Sequence, residues 1–212
     1  MHGQQGGLRS DRPWRRPGAA LYALRRLPGL VRPPVSVYEP AAGQLSILRE
    51  VPVVVRDGTT LRVNVVLPRA GGRFPTLMSA HPYGKDDLPK RRGLGYHVSI
   101  QYRALRQTGT VRFSTLTGWE APDPVWWAGQ GYAVVNCDLR GAGTSDGTAD
   151  LFSDQEGEDV YDLIEWAGRQ PWSTGSVGLI GVSYLAISQW KAAALQPPSL
   201  KAICPWEGFT DP

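Results

Sequence analysis

Histidine, cysteine and long apolar runs are what this chain has least of. Its 212 residues include three histidines and two cysteines. Two cysteines cannot build a disulfide framework. Cys137 and Cys204 each close a short apolar stretch and read as small buried hydrophobes, a usage that fits a reducing, cytoplasmic setting. No apolar stretch approaches the roughly 20 residues of a membrane span, so no membrane partner is expected. Near the front, Arg25-Arg26 cuts the apolar run 19–24 short of a signal-peptide core. No internal repeat appears.

Acidic residues are scarce at the front. Residues 1–35 hold seven Arg against Asp11 alone, so the formal charge of +4 belongs to a leading arm and residues 36–212 carry a net −2. The body therefore has no basic footprint for nucleic acid. Residues 1–38, rich in Gly, Arg and Pro, read as a poorly ordered arm with at best a short helix near 19–27. Residues 39–212 read as one domain, with regular structure starting near Leu45.

What the chain does have is strands alternating with helices. Residues 50–67 are two β-rich runs about Asp57-Gly58, a hairpin signal. A strand over 74–80 breaks at His81-Pro82-Tyr83-Gly84. Residues 85–123 are the least regular part and read as a long insertion over the sheet edge. A short helix over 124–130 precedes a strand over 132–138 and a Gly-rich loop over 140–147. Asp154 is expected to cap a helix whose first turn holds Glu156, Glu158 and Asp159. Val160, Leu163, Ile164 and Ala167 then share one face and should pack on the sheet. Two further strands, over 177–182 and 200–205, flank a helix that begins at Tyr184. The order indicates an α/β fold with a mostly parallel sheet.

The chemistry centres on Gly181-Val182-Ser183-Tyr184. An apolar strand leads straight into a helix there, so the chain must bend sharply and lift Ser183 out of the sheet edge, as a nucleophile elbow does. The plainer alternative is an ordinary βα turn carrying a polar residue. The literal G-x-S-x-G match lies elsewhere, at Gly143-Thr144-Ser145-Asp146-Gly147, where no helix follows, and it reads as a loop. Its glycines do not form the G-x-G-x-x-G of a nucleotide site. An acylated serine needs two donors for its oxyanion. The Tyr184 backbone N–H is one candidate. The loop after the 74–80 strand offers the other, the Tyr83 hydroxyl, unless that tyrosine only fills a turn. A serine also needs a base, and all three histidines, at 2, 81 and 97, precede Ser183. His81 is open between a base and a structural or substrate-lining residue.

Several of these segments together resemble one family: His81-Pro-Tyr-Gly-Lys85, Asp138-Leu-Arg-Gly-Ala-Gly-Thr-Ser-Asp-Gly147, the acidic helix 156–166, Gly181-Val-Ser-Tyr-Leu-Ala186 and Leu200-Lys-Ala-Ile-Cys-Pro205. Residues 50–212 are similar to the N-terminal half of the catalytic domain in the cocaine-esterase and X-Pro dipeptidyl-peptidase group of α/β-hydrolases. The resemblance implies Ser183 as nucleophile, the Tyr83 hydroxyl and Tyr184 N–H as the oxyanion hole, and no cofactor or metal. It implies an ester, amide or peptide substrate, and self-association as in full-length members. Ala186 stands where the family has glycine, and its methyl is expected to crowd helix against strand. Family members continue into a helical lid, the acid and histidine of a triad, and a β-sandwich, whereas this chain stops at Asp211-Pro212. As it stands it is expected to turn over slowly, if at all. The competing reading is a non-catalytic remnant of the same fold.

Overall fold

The computed structural model describes residues 33–104 and 110–209, with Gly18, Ala20, Leu21, Ala23, Leu24 and Leu27 of the arm. The last five of those are helical, within the stretch expected to be so, and the rest of residues 1–32 lies outside the described residues. Ten strands follow in chain order: β1 (Val35–Tyr38), β2 (Leu45–Val54), β3 (Thr60–Pro68), β4 (Phe74–His81), β5 (Lys90–Arg92), β6 (Gly95–His97), β7 (Val111–Ser114), β8 (Ala133–Asp138), β9 (Ser173–Val182) and β10 (Leu200–Trp206). The helices are α1 (Gln101–Ala104), α2 (Pro124–Gly129), α3 (Asp154–Gly168) and α4 (Tyr184–Ala194).

Six strands form the main sheet in the order β10-β9-β4-β8-β3-β2. β2 and β3 are the expected hairpin, turned at Asp57-Gly58, where the Asp57 carboxylate accepts the Thr59 N–H at 2.9 Å. β3 runs antiparallel to β8, while β8, β4, β9 and β10 are mutually parallel. Parallel neighbours need crossovers, and α3 and α4 supply them. The strand ends that carry His81, Asp138, Ser183 and Glu207 therefore gather along one rim, where ligands bind in sheets of this kind. Val160, Leu163, Ile164 and Ala167 of α3 are buried against the strands as the sequence pattern requires. Each such aliphatic side chain contributes about 1.5–3 kcal/mol on burial.

Three expectations need correcting. Val35–Tyr38 is a strand, paired in parallel with Val111–Ser114, so regular structure starts before Leu45 and inside the expected arm. This small sheet is pinned by Asp123, whose carboxylate accepts the Tyr38 hydroxyl at 2.8 Å and the Ser114 N–H at 2.9 Å. Ser153, not Asp154, caps α3, its hydroxyl accepting the Glu156 N–H at 3.2 Å. Glu156 and Asp159 of the same helix are buried, and each has a partner across the fold. Cys204 is exposed, because β10 forms the sheet edge, whereas Cys137 is buried as expected.

Asp159 is paired with Arg140, the arginine of the Gly-rich loop. The guanidinium donates to both carboxylate oxygens, at 2.8 and 2.7 Å, and reaches Asp57 and Thr59 in the hairpin turn. One side chain thus ties β8, α3 and the β2–β3 turn together. Asp159 is 1% exposed and Arg140 15%, so removing one partner strands a buried charge. Arg140→Ala is expected to lower the unfolding free energy by about 3–5 kcal/mol, measurable by urea denaturation.

Candidate active site

The bend at Ser183 is built by close approach. Gly181 stands next to last in β9, where a Cβ would lie 2.3 Å from the Leu185 Cβ, so α4 can begin hard against the strand only over a glycine. Ser183 then takes φ 57° and ψ −115°, a left-handed backbone that costs a non-glycine residue about 1–3 kcal/mol. Tertiary hydrogen bonds hold it there. The Ser183 N–H donates to the Trp206 carbonyl at 2.8 Å, and the Val182 N–H to the Glu120 carbonyl at 3.3 Å. A serine preceding a helix ordinarily caps it with its own hydroxyl. Ser183 makes no such bond, and its Oγ is left for other work.

Behind Ser183, Tyr184 is 7% exposed and fixes the start of the helix. Its hydroxyl donates to Glu156 Oε2 at 2.5 Å, and its ring packs on Phe152 at 4.9 Å between centroids. Burial, reinforced by Glu156, pushes this phenol well above its ordinary range. Burial also raises Glu156, whose Oε1 has no hydrogen-bond partner. As the first residue of α4, Tyr184 has an N–H without an intrahelical acceptor, directed at the bend. Ala186 is fully buried, but its methyl faces Gly208 beyond β10, where an added Cβ would come within 2.6 Å of it. The crowding expected against the strand is thus taken up by a glycine on the other side.

Tyr83 comes from the loop after β4. Its ring lies 6.2 Å from that of Tyr184 and 5.7 Å from that of His81, and its hydroxyl interacts with Ser183 and with Glu120. Burial first, then the charge of Glu120, pushes its pKa up to about 12. The structure therefore brings Ser183, Tyr83 and Tyr184 together, as expected. His81 is fully buried, with Nε2 on Asn136 Oδ1 at 2.7 Å and Nδ1 unpartnered. Burial lowers its pKa, and neither ring nitrogen bonds Ser183. Its Nε2 is engaged by Asn136 and not by the serine.

The Tyr83 loop is anchored by Lys85, whose side chain is fully buried. Its Nζ meets Glu50, Asp86 at 2.7 Å, Thr144 at 2.8 Å and Asp138 at 3.1 Å, while its backbone N–H donates to Asp138 Oδ1 at 2.5 Å. Burial opposes the charge, but the carboxylates outweigh it and the pKa ends above the ordinary lysine value. Glu50 reaches in from an irregularity in β2, where its φ is 54°. Gly143, at φ 53°, leaves room for the Asp138 carboxylate, which a Cβ would meet at 2.1 Å. The Gly-rich loop is thus folded around an internal anion. Ser145 is likewise structural, donating to the Asp138 carbonyl and accepting the Arg62 N–H, both at 2.8 Å.

Sequence reasoning missed Glu120 and the cavity beside Tyr83. That cavity, about 440 Å³, is walled by Leu88, Val98, Tyr102, Thr117 and Trp119. Its wall comes from the irregular 85–123 segment, which carries no periodicity that could have announced it. Glu120 has a φ of 60°, a strain no sequence pattern reports.

A parallel sheet, a strained serine between strand and helix, and donors converging on it define an α/β-hydrolase. Solved structures agree. A CocE/NonD family hydrolase from Staphylococcus aureus superposes with a TM-score of 0.69 at 43% identity, over 79% of this chain and 28% of that one. An α-amino acid ester hydrolase shares the fold, with a TM-score of 0.61 at 23% identity over 83% of this chain and 27% of its own. Residues 57–212 match the model of the X-Pro dipeptidyl-peptidase (S15) family, and the chain belongs to that family. The cocaine esterase of Rhodococcus sp. (strain MB1 Bresler) is 33% identical over 165 residues, 77% of this chain and 24% of that protein. The chain thus spans about a quarter of the length of the relatives it matches.

Glu156 should be visible in the pH dependence of stability. Its carboxyl pKa is raised in the folded state, so the cost of its charge is present at neutral pH and disappears as pH falls through that raised value. Against a Glu156→Gln variant, wild-type melting temperature is expected to rise as pH is lowered from 8 towards 5. Calorimetric melting of both proteins across that range measures the difference.

Proposed function

We propose that this chain carries the nucleophile and oxyanion hole of a serine hydrolase acting on acyl esters or on amide and peptide bonds. The observation that carries this reading is the strained Ser183, whose hydroxyl is not spent on capping its helix and faces the Tyr83 phenol. Ser183 Oγ would attack the acyl carbon while its proton passes to a base. The Tyr184 N–H and Tyr83 O–H would then receive the negative oxygen of the tetrahedral intermediate. Collapse expels the leaving group and leaves an acyl-serine for water to resolve. The esterase and peptidase names of the relatives bound the substrate class. The cavity beside Tyr83 supports the same reading, since a reacting acyl or leaving group would have room there.

Among the described residues no histidine hydrogen-bonds Ser183: His81 Nε2 is engaged by Asn136, and His97 lines the cavity beside Tyr83. The 212-residue chain by itself is therefore expected to be a poor catalyst, as enzymes lacking a triad member are. A reactive serine without its histidine should respond to a base from solution. Fluorophosphonate labelling is expected to be slow, to accelerate with added imidazole, and to map to the peptide containing Ser183. Ser183→Ala should abolish it, and Tyr83→Phe should slow it by about 10²–10³-fold. No labelling at any imidazole concentration would sink the nucleophile reading in favour of a non-catalytic remnant. Fast labelling without imidazole would show that a base is already in place.

A further inference from the structure

Glu120 is tied to both halves of the site. Its carbonyl accepts the N–H of Val182, the residue before the nucleophile. Its carboxyl interacts with the Tyr83 hydroxyl and with Trp119. Its backbone is held at φ 60°, as positive as those of Ser183 and Glu207. Strain of this kind persists only where the surrounding structure enforces it. The carboxyl is also incompletely satisfied, because Oε2 is buried with no hydrogen-bond partner.

We infer that Glu120 is a positioning residue of the oxyanion hole, whose carboxyl decides whether the Tyr83 O–H is free to meet negative charge at Ser183. The inference rests on Tyr83 being an oxyanion donor. A phenol has one proton to donate. An ionised carboxylate can only accept, so a charged Glu120 draws the Tyr83 O–H to itself and away from the substrate oxygen. A neutral carboxyl carries its own proton. It can donate that proton to the phenol oxygen, and the Tyr83 O–H is then released towards the intermediate.

The surroundings raise the cost of the charged form, and the hydrogen bonds from Tyr83 and Trp119 offset part of that cost. Burial is the main cause of the raised Glu120 pKa, and the negative charge of Glu207, beyond β10, adds to it. The other titratable groups facing Glu120 are the phenols of Tyr83 and of Tyr102 on α1, both themselves pushed up to about 12. The exchange therefore belongs to the carboxyl, at a pH above the ordinary carboxylate range.

The test is carbon-13 NMR of the 212-residue chain labelled at tyrosine Cζ and glutamate Cδ, between pH 4 and 8, with Tyr83 assigned by Tyr83→Phe. The Tyr83 and Glu120 resonances are expected to titrate with one shared midpoint, above the ordinary glutamate value. Glu120→Gln should erase the Tyr83 step. Glu120→Asp should retain a step, and Glu207→Gln should keep it while lowering its midpoint. A Tyr83 resonance that does not titrate, or that titrates unchanged in Glu120→Gln, would overturn the inference. The functional arm is imidazole-assisted labelling of Ser183. Wild type and Glu120→Gln should react alike below the midpoint, and wild type should fall about tenfold behind above it. A rate ratio that does not change with pH would also overturn the inference. Absence of labelling in both proteins would instead strike the nucleophile reading, while the NMR titration still decides the Glu120–Tyr83 link.

Discussion

One backbone conformation organises this protein: Ser183 at φ 57°, forced between the last residue of β9 and the first of α4. That conformation is unfavourable by itself and survives because neighbouring strands hold it. The Trp206 carbonyl takes the Ser183 N–H, and the Glu120 carbonyl takes that of Val182. Gly181 gives way to Leu185, so the helix can start without a spacer.

The second element of the site is held by a different force. Tyr83 sits on a short loop with no regular hydrogen bonding, and charge does the anchoring. Lys85, fully buried, gathers Glu50 from the β2 irregularity, Asp86 from its own loop and Asp138 from the end of β8. Buried charge is costly unless it is paired and fully hydrogen-bonded. Here the pairing spans three separate segments, which sets the height of the Tyr83 loop relative to the sheet. The Gly-rich loop after β8 belongs to this arrangement: Gly143 makes room for Asp138, and Arg140 carries the restraint on to α3 and the hairpin. Backbone strain at Ser183 and charge pairing at Lys85 thus place one serine and one phenol against each other.

Family membership and fold do not depend on Ser183 alone. The S15 family match runs from the hairpin turn to the end of the chain, and the staphylococcal structure superposes over most of it. What the relatives possess beyond this region is about three quarters of their length. The exposed β10 edge and the exposed Trp206 and Phe209 beside it mark where the described sheet ends.

The strands and helices of the main sheet were readable because their signals are local. Alternation at Asp57-Gly58 marks the hairpin, spacing from Val160 to Ala167 marks a packed helix face, and an apolar strand running directly into Tyr184 marks the elbow. Ser183, Tyr83 and Tyr184 were legible for the same reason, since each sits at a fixed offset from a strand end. β1 was missed because a four-residue strand has meaning only beside its partner, 76 residues later in register. Cys204 was misplaced because an edge strand and a central one can share a composition. The buried partners of Glu156, Asp159 and Lys85, and the strained Glu120 at the Tyr83 hydroxyl, are contacts between segments far apart in sequence. Periodicity and turn chemistry determined the elements and the order of the rim. Which charges are buried, which carboxyl faces the phenol and which histidine is unavailable were decided only in three dimensions, because electrostatic and packing partners depend on proximity in space.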